Sequence, residues 1–445
     1  MNKKSFLTAL TVSSALMVMS ACGGAASHSS GAESKDPAAG KPEESKPVTL
    51  QAYAYSGALV KEDFDKYIAA PLKQKYPHIT LEYVASGKGT SPNELATAGT
   101  MPDIIMTGMR QLLVFQELDA PADLTNLMKT HRLDRSLYRK EAIDAIADYG
   151  AKGELYALPL YVNFYAMLYN KDIFDRFSVE YPKDQMTWDQ VKALAAKVTK
   201  VQDGIAYKGL QPADIIDVFA GGLSLSYMDG QNQKAKVTTD GWKNVFEIAK
   251  EFNSMPGNEP KDPKNIWKGS DDFFKDKNIA MMPYFGTRVQ KAAQMNDELG
   301  FNWDVVSFPS FSDSPGKSSE VDAQVLALSK TSKHPDEAFK VIQFLTSSQE
   351  VQSGLVKMGR ALPALNDEDL MKSFGADYPV LKTKNVNGIF KTTPRQPHKA
   401  SQYDDIVRKW LKNTFLDHLS GKYDVNTALK MAEEGATKEI ESMKK

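Results

Sequence analysis

Strand-like and helical segments alternate along most of this chain, and this alternation limits the folds that it can adopt. Residues 48–55 and 79–84 are β-rich runs, and the stretch between them has helical character that is interrupted near Pro71. Residues 102–107 follow as a short apolar strand of the buried type. Because strands separated by helices stack into layers, the pattern predicts the α/β class with a mostly parallel sheet.

The second half of the chain repeats this alternation. Thr187 and Gln190 form a capping box, which predicts a helix that begins there and ends near Thr199. Further elements are predicted from hydrophobic periodicity. They are helices at 242–252 and 335–345, strands at 279–282, 303–308 and 321–329, and two helices at the end of the chain.

The first 46 residues have the character of an export signal followed by a polar tether. Lys3 and Lys4 precede an apolar run at 6–19, and small residues flank Cys22, the only cysteine of the chain. This pattern resembles the bacterial lipoprotein signal, in which the chain is cut before a diacylated cysteine. The resemblance implies a signal peptide at 1–21, a lipid-anchored tether at 22–46 and a location on the extracytoplasmic face of the cell membrane. A plain secretory signal with an incidental cysteine is the alternative.

Composition and motifs give little support to several other functions. The chain has 445 residues, 42% of them hydrophobic, which is enough for two domains, and its formal net charge of −1 gives no electrostatic reason to expect nucleic acid as a partner. None of the six histidines is in His-x-x-x-His spacing, and no Gly-x-Ser-x-Gly motif occurs. Acidic runs at 271–272 and 366–369 fit helix N-termini better than a glycosidase carboxylate pair. We expect no enzyme activity, no metal and no cofactor.

Several short motifs occur in an order that resembles the family-one extracellular solute-binding proteins. These are the receptor subunits of bacterial ABC importers, typified by the maltose-binding protein. Each motif is weak alone, but their joint order is specific and covers the chain from Val48 onward. The matching segments are 101–105, 153–159, 168–174, 187–189, 274–281, 308–309, 338–350 and 359–364.

The resemblance implies two α/β lobes of the periplasmic-binding-protein type, joined by crossing strands, with a ligand held in the cleft between them. Hinge closure would capture the ligand and present it to a membrane permease, and the protein would act as a monomer. No nucleotide-binding loop is present, so ATP hydrolysis would belong to another subunit. By analogy, lobe one would hold residues 47–161 and 284–330, and lobe two residues 162–283 and 331–445.

Residue types at the expected crossings favour a carbohydrate ligand. Sugars have weakly apolar faces and a rim of hydroxyl groups, so a sugar site needs flat aromatic rings and fixed polar partners. Tyr53 and Trp410 fit core packing better than ligand contact, whereas Arg288 and Arg360 could bind hydroxyls or a carboxylate, or bridge the lobes. The candidate ligand-binding residues are Tyr55, Ser56, Asp103, Tyr161, Asn163, Trp267, Tyr284, Arg288, Arg360 and Tyr403.

Two other functions stay open at this point. A receptor of the same fold could bind a peptide, a polyamine or an organic anion. A strongly acidic cleft would indicate polyamines, and several arginines in it would indicate anions. A lipoprotein glycan hydrolase is the third hypothesis, and the lack of a plausible catalytic constellation argues against it.

Overall fold

The computed structural model describes residues 46–211, 214–255 and 273–444, whose strands form two main β-sheets. The predicted signal peptide, Cys22 and most of the predicted tether lie outside the described residues. The strands are β1 (Val48–Ala54), β2 (Ile79–Ala85), β3 (Ile104–Gly108), β4 (Leu158–Val162), β5 (Tyr165–Asn170), β6 (Lys200–Gln202), β7 (Ile205–Leu210), β8 (Ile279–Phe285), β9 (Trp303–Ser307), β10 (Lys317–Glu320), β11 (Ala323–Leu328), β12 (Leu362–Pro363) and β13 (Thr393–Arg395).

Helices cover both sheets and form most of the C-terminal region. The α-helices are α1 (Lys61–Phe64), α2 (Ala70–Lys75), α3 (Pro92–Ala98), α4 (Leu112–Glu117), α5 (Thr125–Thr130), α6 (Lys140–Ala147), α7 (Lys171–Arg176), α8 (Trp188–Val198), α9 (Ile215–Leu223), α10 (Asp240–Asn253), α11 (Thr287–Gln294), α12 (Asn296–Leu299), α13 (Pro335–Ser347), α14 (Gln349–Lys357), α15 (Val386–Ile389), α16 (Asp404–Leu419) and α17 (Val425–Met443). A π-helical turn (Asp65–Ala69) joins α1 to α2, and short 3-10 helices lie at Met109–Gln111, Arg135–Leu137, Glu368–Ser373 and Pro379–Thr383.

The first sheet has six strands in the order β12-β4-β11-β3-β1-β2, and the second has five in the order β6-β7-β8-β5-β9. β10 and β13 form a separate parallel pair. The chain passes from the first sheet to the second between β4 and β5, and it returns between β9 and β11. This arrangement confirms the α/β class and the presence of crossing segments.

Strand directions are mixed, so the expectation of a mostly parallel sheet is wrong. β1 pairs in parallel with β2 and β3, and β7 does so with β8. However, β11 is antiparallel to both β3 and β4, and β5 is antiparallel to both β8 and β9. The physical reason is the crossing itself, because β4 leaves the first sheet and β11 re-enters it in the opposite direction.

Local sequence signals account for the position of α8. The Thr187 hydroxyl accepts a hydrogen bond from the Gln190 backbone N–H (3.3 Å), and the Gln190 side chain accepts one from the Thr187 N–H (2.9 Å). These reciprocal bonds satisfy two N–H groups that the first turn of a helix leaves unpaired. The predicted capping box is confirmed.

Apolar side chains bury both faces of the second sheet. Successive residues of a strand point to opposite faces, and accordingly Met167 packs in one core with Trp188, whereas Leu168 packs in another with Trp303. A further core surrounds the first sheet. Within the described ranges, no helix is both long enough and apolar enough to cross a bilayer.

The distribution of residues between the two sheets departs from the lobe boundaries expected by analogy. β9 belongs to the second sheet, because it pairs with β5. Helix α13 packs in the core of the first sheet through Phe339 and Ile342, both fully buried. The expected boundaries at 284–330 and 331–445 therefore do not follow the sheets, since the chain crosses back only after α11, α12 and β9.

Candidate functional site

A cavity of 530 Å³ lies between the two sheets, at the segments where the chain crosses from one to the other. Its lining residues come from the loop after β1, the end of β3, both crossing segments, the end of β8 and helices α9 and α16. Other surface depressions of 620 and 520 Å³ have linings drawn from around only one sheet. The volume of the central cavity is in the range of small-molecule sites, so we take it as the candidate binding cleft.

Glycines shape the wall that the first sheet contributes. A Cβ at Gly57 would lie 2.8 Å from Gln324 Nε2, and one at Gly108 would lie 2.5 Å from Gln111 Oε1. Gly57 also has a φ of +77°, which side-chain-bearing residues rarely adopt. The two glycines therefore leave room for the amide groups of Gln111 and Gln324 at the cleft surface.

A chain of charged groups runs behind this wall toward the C-terminal helices. Arg110 Nη2 donates a hydrogen bond to Glu320 Oε2 (3.2 Å). His398 lies between two carboxylates, with Nδ1 2.8 Å from Glu320 Oε1 and Nε2 3.1 Å from Asp404 Oδ2. Burial lowers the pKa of His398, but the hydrogen bonds to Asp404 and Glu320 outweigh it and raise the pKa to about 9. The imidazolium therefore joins the crossing segment to the start of α16.

The wall on the side of the second sheet carries an ion-pair cluster. Arg408 Nε donates to Asp217 Oδ1 (2.9 Å), and its Nη1 donates to Asp405 Oδ1 (2.5 Å). Lys412 Nζ lies 2.7 Å from Asp214 Oδ1 and 3.3 Å from Asp217 Oδ2. The charges of this wall therefore largely neutralise one another.

Aromatic rings line the end of β8. The Tyr284 and Phe285 rings lie at 5.2 Å in an edge-to-face arrangement, and Tyr165 lies 4.4 Å from Phe285. The Arg288 guanidinium stands 5.0 Å from the centre of the Tyr284 ring. Burial raises the pKa of Tyr284, so its hydroxyl stays protonated and can donate a hydrogen bond. This group offers an apolar face together with polar edges.

The two crossing segments are tied directly to each other at the base of the cleft. Asn163, between β4 and β5, donates its backbone N–H to the Asp322 carbonyl (2.8 Å) and its side-chain amide to Asp322 Oδ2 (2.9 Å). Nearby, Arg360 Nη2 donates to the Tyr161 hydroxyl (3.2 Å), and Arg360 Nη1 lies 3.9 Å from Asp63 Oδ2. Asn163, Asp322 and Arg360 all line the cavity.

Half of the residues expected at the site lie together in this cavity, namely Ser56, Asn163, Tyr284, Arg288 and Arg360. Tyr161 is fully buried behind them and supports Arg360. Tyr55 instead packs its ring 5.3 Å from Phe115, in the core of the first sheet.

Two other expected residues, Asp103 and Tyr403, are not among the described residues that line the cavity. Asp103 precedes β3, at the strand end opposite the cleft, and accepts hydrogen bonds from the Gln51 N–H and the Ser332 hydroxyl. Tyr403 packs at the edge of a second-sheet core, beneath Lys444 Nζ. Trp267 lies outside the described residues.

Several cleft residues were missed because no local motif marks them. Arg110 lies three residues after the predicted strand at 102–107, and Asp322 is the second residue of the predicted strand at 321–329; these positions are the only signal that the sequence offers for them. Arg408 and Asp217 meet across 191 positions of the chain. In the described ranges, no group of three or more His, Cys, Asp or Glu residues could hold a metal ion.

The sequence also matches a known family across most of the segments that build this cleft. A family model for bacterial extracellular solute-binding proteins matches residues 54–352. The chain belongs to this family. Membership gives it an extracytoplasmic location and a role in binding a solute.

Individual relatives are distant in sequence and close in fold. A protein of Brucella abortus that is named as a binding protein is 27% identical over 285 residues, which is 60% of this chain and 65% of that protein, so the chain spans less than two thirds of this relative. An ABC substrate-binding protein of Listeria monocytogenes in complex with cycloalternan superposes with a TM-score of 0.73 and 18% identity, over 89% of this chain and 99% of that chain. A sugar transporter of Rhizobium etli in an open conformation gives 0.71 and 21%, over 87% and 99%. These similarities establish the two-lobed periplasmic-binding-protein-like fold.

Proposed function

We propose that this solute-binding protein is the receptor of an ABC importer, and that it captures a sugar or oligosaccharide by hinge closure and delivers it to a membrane permease. The main support for this proposal is the lining of the cleft between the two sheets, which combines the Tyr284 ring with many fixed hydrogen-bonding groups and largely paired charges. The solved structures with the same fold include proteins named for cycloalternan binding and sugar transport, which supports the same class of ligand.

Paired charges favour a neutral polar ligand over a free ion. Arg110 faces Glu320, Arg408 faces Asp217, and Arg360 lies near Asp63. Guanidinium groups held by carboxylates keep N–H donors for ligand hydroxyls while most of their net charge is compensated. Sugar hydroxyls, which both donate and accept, match such a lining. Four arginines nevertheless line the cavity, so organic anions are the comparison class that a binding assay must include.

Closure would follow from ligand contacts to both sheets. Tyr284 and Arg408 belong to the second-sheet side, and Arg110 and Gln111 to the first. A ligand that touches both sides favours the closed form by its differential affinity, and a shift from 1:99 to 99:1 needs about 5.5 kcal/mol. A few stacked and charge-assisted contacts supply energies of that order. We propose that the two sheets, each with its own core, move as the two lobes.

A calorimetric and thermal-shift panel tests the carbohydrate assignment. The panel contains glucose, mannose, galactose and their di- to tetrasaccharides, and, as comparison classes, glucuronate, citrate, spermidine and short peptides. A true ligand at a hundred times its Kd should stabilise the protein by about 2.7 kcal/mol, with saturable heat and without turnover of the ligand. If only citrate or spermidine binds, the carbohydrate assignment is wrong and the protein is a receptor for another class of solute. Release of a product from a glycan would indicate a hydrolase.

Two substitutions at one position provide a matched control. Tyr284→Ala removes the ring and should weaken sugar binding by roughly ten- to a hundredfold, because burial of a large apolar side chain contributes about 1.5 to 3 kcal/mol. Tyr284→Phe keeps the ring and should lose much less. Equal affinities of all three proteins for the sugar would exclude Tyr284 as a ligand contact.

We further propose that Cys22 carries the lipid anchor, and that the protein acts as a monomer tethered beside its permease. The polar composition of residues 23–46 supports a tether with a root-mean-square reach of roughly 25 to 30 Å. Cys22→Ser should move the protein from the membrane fraction to the soluble extracytoplasmic fraction. Continued membrane partitioning of this variant after a carbonate wash would contradict the anchor.

A further inference from the structure

One carboxylate at the base of the cleft differs from the others in its hydrogen-bond partners. Asp214 and Asp217 are both held by cations, since Lys412 lies 2.7 Å from the first and Arg408 2.9 Å from the second. Asp322 instead receives its hydrogen bonds from neutral groups, the side-chain amide of Asn163 and the backbone N–H of Ala323. Its carboxylate therefore lines the cavity without the ion pairing of its neighbours.

Burial and neighbouring charges act on Asp322 in opposite directions. Burial raises its pKa, whereas the Arg110 guanidinium and the Asn163 amide act to lower it, and the net shift is upward. A group in this condition is incompletely solvated. Additional hydrogen-bond donors would stabilise its ionised form, and a ligand that enters the cleft can supply them.

Gln324 adds a second acceptor to the same floor. It lies two positions beyond Asp322, lines the same cavity and is 4% exposed. Its Oε1 is buried and accepts no hydrogen bond from the part of the chain that the structure describes. Buried acceptors without donors are rare and costly. The base of the cleft thus holds, near Asp322, a buried acceptor whose hydrogen-bonding capacity is not used within the described ranges.

We propose that Asp322 is the ligand-anchoring residue of the cleft, where it accepts hydrogen bonds from ligand hydroxyl groups and so selects a sugar whose hinge-facing end is hydroxylated. This inference rests on the proposed function and names the chemistry that its ligand must present. A sugar with a phosphate or carboxylate at that end would place acceptors against acceptors.

The position of Asp322 on the crossing segment makes it suitable as an anchor. Residues of a hinge move less, relative to each lobe, than residues at the lobe tips. The two bonds between Asn163 and Asp322 hold both crossing segments together, so the carboxylate keeps its place whichever lobe moves. The ligand can therefore bind Asp322 in the open form and complete its other contacts on closure.

The test combines Asp322→Asn with deoxygenated sugars, using the neutral sugar that binds most tightly in the panel described above. Calorimetry on the full extracytoplasmic chain should show about a ten- to hundredfold weaker Kd for D322N, because a hydrogen bond to a charged group contributes about 1.5 to 3 kcal/mol. Asp203→Asn makes the same chemical change at an exposed residue of a turn and should leave the Kd unchanged.

Singly deoxygenated analogues then identify the hydroxyl. The analogue that lacks the hydroxyl bound by Asp322 should bind the natural protein more weakly by a similar factor. This analogue should lose little further affinity for D322N, because the missing hydroxyl and the substitution remove the same interaction. A melting curve shows whether D322N is folded. If folded D322N binds the sugar as tightly as the natural protein does, this inference is wrong and the proposed function is unaffected. If D322N does not fold, the affinities of the natural protein for the deoxy analogues are a sufficient test. Binding of every analogue as tightly as the unmodified sugar would overturn the proposal that Asp322 anchors a ligand hydroxyl. Absence of binding to any carbohydrate would overturn both proposals.

Discussion

Replacement of His398 by glutamine should change how the stability of this protein depends on pH. The imidazole bridges Glu320 and Asp404, and its side chain is only 4% exposed. Tyr227 packs its ring 5.2 Å from the imidazole, and Arg110 holds the far oxygen of Glu320. Glutamine keeps one donor nitrogen for these carboxylates but cannot carry the positive charge.

The expected size and sign follow from the raised pKa. A pKa of about 9 in the folded protein, against 6.5 for the free side chain, corresponds to about 3 kcal/mol of stability at about 1.4 kcal/mol per pH unit. Because the folded pKa lies above the unfolded one, this stabilisation is fully present below about pH 6.5. It is lost progressively as the pH rises from there through about 9.

Urea denaturation at half-unit intervals between pH 6 and pH 9.5 measures this effect. The difference in free energy of unfolding between the natural protein and His398→Gln should be about 3 kcal/mol at pH 6 and should shrink above pH 6.5 toward a small remainder at pH 9.5. His334→Gln, at an exposed histidine, controls for loss of any histidine and should give a curve parallel to that of the natural protein. A difference that stays constant across this interval would refute the charged bridge.

Two further substitutions test local packing. Thr187→Ala should cost about 1 kcal/mol of stability through loss of the α8 N-cap, measured as a lower urea midpoint with an unchanged m-value, and Thr187→Ser should retain most of it. Gly286→Ala should destabilise by about 1 to 3 kcal/mol, because the added Cβ would lie 2.4 Å from the Phe164 ring and 2.8 Å from the Arg360 carbonyl. A melting temperature equal to that of the natural protein would contradict the second expectation, since a φ of −52° at this position tolerates any side chain.

Elements with a local signal could be predicted from the sequence. The capping box of Thr187 sets the start of α8 through bonds between residues three apart, so the pattern carries its own explanation. Strand positions such as β1 and β8 follow from short apolar runs. Strand direction does not, because whether β11 runs parallel to β3 depends on a crossing that only the complete fold defines.

The site could be predicted only in part, and for a physical reason. Tyr284 lies at the end of β8 and Arg288 in the first turn of α11, only four positions later, so their joint position at the cleft follows from local reasoning. Asp322 and Asn163 bond across 159 positions, and neither residue alone marks a contact. Tyr55 follows the end of β1, but its ring turns into the core because Phe115 offers an apolar partner there.

The position of β11 between β3 and β4 has a consequence for the synthesis of the protein. Both neighbours are made long before β11, and until it arrives each has an edge with unpaired backbone groups. Pairing between strands so far apart in the chain is slow, and helices α13 and α14, which also pack in the core of this sheet, are made later still. The gap between β3 and β4 therefore closes only after about three quarters of the chain exists. This protein must cross a membrane before it acts. Because its first sheet pairs late, the chain stays incompletely folded, and so able to pass through a narrow channel, for most of its synthesis.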